Sequence, residues 1–365
     1  MAEINNIPSL AFATSVDSIM IAADADISVR TLLTADDGSA VFDNTAMYTP
    51  TNGKVEIGGI DELVCSSILS TIDAENLLAA GPRSIGVNVT VSGGGSSASC
   101  RLLYSTRFLG NVAPHFATQI RNRKIYTGQQ MPLSVITAGA ELKLHVGLAL
   151  RDGETVRYEE KEVSISPSKD CYTMDAGITA ILTMLDCHAY GAEAVYFYTL
   201  TLYSTDGQQL DKIKFTAQGQ MPRHATQFVF LGFCGVPETF VFTGKNIEKQ
   251  SLESDFGFSG REYIRFDSSL VEDNEANSGW VTMEERATVY DLMDSPLAFV
   301  VDGKELRRIT ITDVDSSVSR PLNEPDAISL TWRYADMRYM RKPVFIPDTG
   351  SGHVFSHPPF DKTFS

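Results

Sequence analysis

The chain has 365 residues, of which 43% are hydrophobic, and its 46 acidic and 30 basic residues give a formal charge of −16. At roughly 100–200 residues per domain, this length predicts two or three domains, and the hydrophobic fraction excludes wholesale disorder. The negative charge argues against nucleic acid or an anionic membrane as the main partner, because both attract clustered Lys and Arg. No stretch of the sequence approaches the roughly 20 apolar residues of a membrane span.

The N-terminal segment predicts a protein that is made and folds in a cytoplasm. Its first basic residue is Arg30, whereas a secretory signal opens with positive charge. The cysteines are odd in number, widely spaced and without a CxxC pair, which disfavours a disulfide framework or a metal site. We expect buried free thiols that act as small hydrophobic residues. They are Cys65, Cys100, Cys171, Cys187 and Cys234.

Two consecutive stretches of the chain share one order of features. Each opens with a β-rich segment that ends in Asp-Gly, at Asp37-Gly38 and at Asp152-Gly153. Asp-Gly between such flanks predicts a hairpin, because Gly accepts the positive φ of a tight turn. A segment with a Pro, a short helical pattern and a second hairpin then follow in both stretches. The apolar residues of the helical patterns are Ile60, Leu63 and Val64 in one stretch and Ile178, Ile181, Leu182 and Leu185 in the other.

This repeat predicts two tandem β-sandwich-like domains, residues 1–110 and 111–220. Apolar and polar residues alternate in both second hairpins, which is typical of antiparallel sheets with one buried face. From Met221 the pattern changes, and residues 221–340 are predicted to form an α+β domain. The predicted fold class is therefore mainly β, with tandem β-sandwich-like domains followed by an α+β domain.

The third domain is predicted to combine aromatic strands with one helix. Thr282 and Glu285 have the spacing of a capping box, and the helix behind them should end at Ser295, because the residue before a Pro disfavours the α conformation. Residues 245–260 and 271–279 are polar, so we expect a connection and an exposed loop there. Asp302-Gly303 predicts a hairpin, and a last strand carries Leu330, Trp332 and Tyr334. Residues 341–365 contain four Pro and are predicted to be an extended C-terminal arm that contacts a neighbouring subunit.

Residues 221–335 resemble structural tail or baseplate-type proteins of phages and prophages that infect Bacteroidetes-type bacteria. The resemblance rests on an aromatic strand with a Gly-containing turn (RHATQFVFLGFCGVPETFVFTG), a helix that stops at Leu292-Met-Asp-Ser-Pro296, and the ITITD strand. It implies a virion component that is assembled in the host cytoplasm. Its implied partners are copies of itself and neighbouring tail or capsid proteins. The resemblance supplies no catalytic residue.

Residue patterns that carry chemistry are sparse. His353 and His357 are four apart, as two metal ligands on a helix would be, but the adjoining Gly and Pro-Pro exclude a helix. Asp313 and Asp315 end a strand, where they form either an irregular calcium site or turns that bond their own backbone. His145 is expected on the solvent face of a strand, and Arg121–Lys124 as an exposed basic segment. We therefore predict no catalytic, cofactor-binding or metal site and no enzyme activity.

A second hypothesis comes from a different functional class. A bacterial surface adhesin or carbohydrate-binding module would carry a groove with exposed aromatic side chains, such as Trp280 or Trp332. An enzyme, the third possibility, would require a pocket in which carboxylates or histidines with shifted pKa values converge.

Overall fold

A computed structural model describes residues 2–335 except 6, 36, 75, 79–83, 93–95, 167–169, 260–261, 304 and 317–326, and only the main chain of 152, 251–271 and 316. The fold is mainly β, as predicted, and the predicted α+β domain over residues 221–340 stays a prediction. The predicted arm 341–365 and the pair His353 and His357 lie outside the described residues. Within those residues, no helix is both long and apolar enough to cross a membrane.

The first β-sandwich-like unit consists of a three-stranded and a five-stranded sheet with one helix. The sheets have the strand orders β1-β3-β6 and β2-β8-β7-β4-β5. The elements are β1 Glu3–Ile4, β2 Leu10–Phe12, β3 Ser18–Ala22, β4 Ile27–Thr34, β5 Ala40–Tyr48, β6 Lys54–Gly58, α1 Ile60–Leu69, β7 Ser84–Val91 and β8 Ser97–Leu103.

The second unit repeats this connectivity strand for strand. Its sheets have the orders β14-β11-β9 and β10-β16-β15-β12-β13, and its elements are β9 His115–Phe116, β10 Asn122–Thr127, β11 Pro132–Ile136, β12 Leu142–Asp152, β13 Thr155–Ile165, β14 Cys171–Asp175, α2 Ile178–Met184, β15 Val195–Ser204 and β16 Gln209–Gln220. Both five-stranded sheets carry one parallel pair at the same place, β2 with β8 and β10 with β16. The boundaries at residues 110 and 220 stay a prediction.

Local sequence explains the first hairpin of each unit. Gly38 and Gly153 have φ values of +81° and +63°, in the left-handed region that Gly enters without a steric penalty. Asp37 supports its turn by accepting hydrogen bonds from the main-chain N–H and the hydroxyl of Ser39, at 2.8 and 2.6 Å. These two bonds hold the pKa of Asp37 below its usual range.

The rest of the described chain forms one seven-stranded sheet with helix α3 on one face. The strand order is β18-β17-β21-β22-β23-β20-β19. The elements are β17 Thr226–Leu231, β18 Pro237–Phe242, β19 Asn246–Ser259, β20 Glu262–Asn277, α3 Met283–Asp294, β21 Ala298–Asp302, β22 Glu305–Ser316 and β23 Ile328–Tyr334. The predicted capping box of Thr282 and Glu285 is confirmed, and the helix ends before Ser295, which is extended.

Two expectations for this region are wrong. Residues 245–260 were expected to be a connection and 271–279 an exposed loop, but β19 and β20 fill most of both segments and pair with each other. Both segments were expected to lack strands because they show no alternation of apolar and polar residues, the pattern that marks strands with one buried face. After Val271, Ala276 is the only apolar residue of β20. Asn274 and Ala276 are nevertheless buried, because this end of β20 pairs with β23.

Strand β17 is buried on both faces, because it separates two hydrophobic cores. Val229 and Leu231 pack into the core of the first unit. Phe228 and Phe230 point to the other side, where they pack with Leu292 of α3. This strand therefore attaches the seven-stranded sheet directly to the first β-sandwich-like unit.

The turn between β17 and β18 provides a sharp test of this packing. Gly235 has a φ of +72°, and a Cβ added there would lie 2.6 Å from the Cβ of buried Tyr104. Gly207 is a matched control, with a φ of +87° and no atom within 4 Å of an added Cβ. Replacement by Ala at either position costs about 1–2 kcal/mol of backbone strain. We expect Gly235→Ala to lose a further ~1–3 kcal/mol through overpacking. Denaturant unfolding measures both losses, and equal losses would contradict the packing.

Candidate functional site

The three units meet at one apolar junction, formed by the turn between β17 and β18. Cys234 and Val236 of this turn are buried in a cluster with residues of both β-sandwich-like units. The main-chain N–H of Thr106, after β8, donates to the carbonyl of Phe233 at 3.0 Å. The residues of this cluster that come from the two sandwich-like units are Phe12, Leu103, Ala117, Ile136 and Cys171.

A buried ion pair lies beside this cluster and joins the second unit to the third. Arg123 of β10 pairs with Glu238 of β18, and their side chains are only 4% and 7% exposed. The Arg123 guanidinium also donates to the hydroxyl of Thr118 at 2.8 Å. The expectation that Arg121–Lys124 is an exposed basic segment is therefore wrong for Arg123. The alternation of β10 turns Arg123 inward, and burial of its charge is tolerated because a carboxylate faces it.

Asp291 of α3 is a second buried charge at the junction. The Arg107 guanidinium lies 2.5 Å from one carboxylate oxygen, and the Gln119 amide donates to the other at 2.5 Å. Burial raises the pKa of Asp291 to about 6, against the opposing effect of Arg107, and the nearby Glu238 adds to the rise. Helix α3 is thus held against the chain segments on either side of β9.

The start of α3 makes a further contact with the second unit. Glu285 accepts the main-chain N–H of Thr282 at 2.8 Å as part of the capping box. Its other carboxylate oxygen lies 3.1 Å from the ammonium of Lys124 on β10. One carboxylate therefore both begins the helix and ties it to the neighbouring unit.

A cleft opens to solvent between these two units, over the buried ion pair. It has a cavity volume of only about 50 Å³ and lies between β10 and the following loop on one side and β18 and the start of α3 on the other. The Trp280 side chain is 74% exposed at this cleft. Tyr126 and Phe240 are half-buried in its lining. The polar groups of the lining include Gln129, Thr239, Thr243 and Ser278.

The charges at the cleft are arranged in pairs. Lys124 faces Glu285, and Arg123 faces Glu238. Each of these two cations of the lining therefore has an acidic partner. The arrangement suits a ligand that places an apolar or aromatic surface against Trp280 and hydrogen-bonding groups against the polar side chains of the lining.

The other residues singled out by the sequence do not converge on a site. Trp332 is 3% exposed and packs edge-on to Phe228, with ring centroids 6.1 Å apart, so it is not the exposed aromatic that the adhesin hypothesis named. His145 lies on the outer face of its sheet, 3.5 Å from Glu160. In the described part of the chain, no three His, Cys, Asp or Glu side chains group as metal ligands would. All five cysteines are free, and all but the half-buried Cys65 are buried.

Sequence reasoning missed Glu238, Asp291 and Gln119, which meet the rest of the junction only in three dimensions. A partial signal was present for Glu238, which is the one charged residue of GVPETFVF. A carboxylate in such a strand either points to solvent or is buried with a positively charged partner. The sequence offers no means of finding its partner, which lies 115 residues away.

Comparisons with known proteins leave the family of this chain open. The chain matches no protein-family model. It also matches none of the curated protein sequences.

Three solved structures share a weak similarity with the chain. The calcium-binding domain CBD12 of CALX1.1 is 9% identical over 60% of this chain and 100% of its own, with a TM-score of 0.19. Squid arrestin is 8% identical over 60% and 93%, with a TM-score of 0.18. The native conformation of E. coli alpha-2-macroglobulin is 7% identical over 87% of this chain and 24% of its own, with a TM-score of 0.19. TM-scores this low carry no inference about fold or function.

Replacing Asp291 by Asn should remove a pH-dependent part of the folding free energy. An Asp titrates near 4 in an unfolded chain, whereas Asp291 titrates at about 6 in the folded protein. A group with a raised folded-state pKa stabilises the fold at low pH, and this contribution is lost as the pH rises through the folded value. Two pKa units correspond to about 3 kcal/mol.

Denaturant unfolding near pH 4 and near pH 7.5 measures this contribution. Relative to the wild type, Asp291→Asn should gain about 2 kcal/mol between the two conditions, because the unfolded chain is already partly ionised near pH 4. Asp186→Asn, which removes a charge from a side chain that is 78% exposed, controls for the change in net charge. The free energies of unfolding of Asp291→Asn and the wild type could instead differ by the same amount at both pH values. That result would contradict the buried position of this carboxylate.

Proposed function

We propose that the protein is a structural component of a phage tail or baseplate that acts by binding copies of itself and neighbouring virion proteins. The observation that carries this proposal is the ribbon of β19 and β20. The two strands form fourteen registered pairs with each other, whereas β20 pairs with β23 only over Asn274–Asn277. On the proposed function, this protein has no catalytic role.

The ribbon extends well beyond the sheet that anchors it. The part of β20 outside the pairing with β23, Glu262–Asp273, has twelve residues, which at about 3.3 Å per residue span about 40 Å. A two-stranded ribbon alone is marginally stable in water. A second protein surface that covers the ribbon would stabilise it, and a neighbouring subunit of an assembly supplies such a surface.

One exposed edge of the second sandwich-like unit is protected against pairing with another chain. Strand β13 forms one edge of its sheet and is exposed along most of its length. It carries charges on successive residues, Glu159–Glu162. Charged edge strands resist pairing with other chains.

Light scattering coupled to size-exclusion chromatography tests the proposal. The full chain should form an oligomer of defined mass. Replacing residues 251–271 by Asn-Gly would close the ribbon at the Gln250–Glu272 pair, since Asn-Gly favours a two-residue hairpin. This variant should lose the oligomer but keep the melting temperature of the monomer. A full chain that is monomeric at high concentration, or a shortened variant that assembles like the wild type, would contradict the proposal.

A second candidate function is supported by the cleft. A carbohydrate-binding module of a bacterial surface protein would place an exposed aromatic ring beside hydrogen-bonding side chains, as Trp280 is placed beside Gln129 and Thr243. Titration with neutral oligosaccharides, followed by tryptophan fluorescence, distinguishes this function from assembly. Saturable binding by a monomeric protein would favour it.

A further inference from the structure

We propose that the outer face of the five-stranded sheet in the second unit binds the same face of a second copy, around a two-fold axis parallel to the strands. This inference rests on the proposed assembly function and names a contact between copies in addition to the ribbon. The outer face consists of the outward-pointing residues of β13, β12, β15 and β16, which lie side by side in this order. Leu144 of β12 and Leu200 of β15 point inward, into the core of the unit, so the residues on either side of each point outward.

The strand register arranges the residues of the outer face in rows that cross the four strands. The rows, each in the order β13, β12, β15 and β16, are Tyr158-Ala149-Phe197-Thr216, Glu160-Gly147-Thr199-Lys214 and Glu162-His145-Thr201-Lys212. In the second and third rows the acidic residues lie on β13 and the lysines on β16. The outer face therefore carries negative charge along one side and positive charge along the other.

The charges of these two outer strands are open to a partner. Lys212 and Lys214 are exposed, and neither ammonium pairs with a carboxylate in the described part of the chain. The Lys214 ammonium lies over the ring of Phe197, 4.6 Å from its centroid. Glu160 and Glu162 each contact a side chain of β12, yet they remain 67% and 52% exposed. A cation of another chain can therefore reach both carboxylates.

The separation of the two signs selects a second copy of the same face as the partner. A partner of one sign would be attracted by one outer strand and repelled by the other. A two-fold axis between β12 and β15, parallel to both, exchanges the two sides of the face and leaves each row opposite itself. Glu160 then faces the partner's Lys214, and Glu162 faces the partner's Lys212. The symmetry itself sets this register.

The side chains near the axis are complementary in size. The same axis places Phe197 opposite the partner's Ala149 and Thr199 opposite the partner's Gly147. A larger side chain of β15 thus meets a smaller residue of β12 at both places, as the interdigitation of two packed sheets requires. The contact would also cover Tyr158, which is 67% exposed.

The outer face is large enough for a specific dimer. Four strands at a spacing of about 4.8 Å, and the eleven residues of β12 at about 3.4 Å each, give an area of about 700 Å² per copy. The total of about 1,400 Å² lies within the range of roughly 1,200–2,000 Å² that specific interfaces bury. The charges along the edge strand β13 do not oppose this contact, because sheets that pack face to face form no main-chain pairs at their edges.

Exchange of the charges on the two outer strands tests the inference in the full chain. Lys212→Glu with Lys214→Glu, and Glu160→Lys with Glu162→Lys, each place like charges opposite each other in the symmetric contact. Each variant alone should assemble to half the wild-type mass or less, as measured by light scattering after size-exclusion chromatography. An equimolar mixture should regain the wild-type mass, because the outer strands are then all acidic in one variant and all basic in the other. Native mass spectrometry with one variant isotopically labelled should find both in equal amounts.

Net charge alone does not produce this rescue. Each double substitution changes the formal charge by four, from −16 to −20 or to −12, so the two variants are both acidic and repel each other overall. Lys54→Glu with Lys161→Glu is the matched control and also gives −20. Lys54 is exposed on the first unit, and Lys161 is exposed but pairs with the inward-pointing Val146, so it points away from the outer face. This control should assemble like the wild type.

The possible outcomes separate this inference from the proposed function. Variants that assemble like the wild type, or that lose assembly without rescue in the mixture, would overturn the two-fold contact. The first of these results would leave the assembly function standing and the outer face free for a different virion protein. A dimer that depends on the outer-face charges but survives replacement of residues 251–271 by Asn-Gly would support the two-fold contact and contradict the ribbon. A wild-type chain that is monomeric at high concentration would overturn both.

Discussion

The ion pair between Arg123 and Glu238 is the constraint on which the arrangement of the second and third units depends. Two charges are withdrawn from water at this contact, and each is tolerated only because the other faces it. Such a pair adds little net stability, but it penalises every arrangement that separates the charges without rehydrating them. The apolar cluster around Cys234 and Val236 supplies the attraction between the units. The ion pair, together with Asp291 and its partners, selects one orientation of the third unit relative to the second.

The features to which we assign a function follow from that orientation. The cleft has one wall from β10 and another from β18 and the start of α3, so its width is set by how the second and third units meet. Arg123 and Glu238 lie on these same two strands. The ribbon of β19 and β20 is fixed in direction by its pairing with β23, within the sheet that β17 attaches to the first unit. A junction that holds the units rigidly would therefore keep the cleft and the ribbon in a constant geometry relative to each other.

Local signals in the sequence were sufficient for the turns, the helix start and the mainly β fold. Gly38 and Gly153 specify their turns through their own backbone freedom, and the capping box of α3 is complete within four residues. The long polar strands were missed, because main-chain pairing rather than apolar alternation defines β19 and β20. The junction was missed because its charges come from distant parts of the chain. Nothing near Arg123 distinguishes it from the exposed Lys124 beside it until the fold places Glu238 opposite.

Differential scanning calorimetry of the full chain tests the central claim, that the junction unites the three units, most directly. If the buried pair and the apolar cluster couple the units, the monomer should unfold in one transition, with equal calorimetric and van't Hoff enthalpies. Units that were only tethered would unfold as separate domains, with two or three resolved transitions. That result would contradict the account, because neither the cleft nor the direction of the ribbon relative to the first two units would then be fixed.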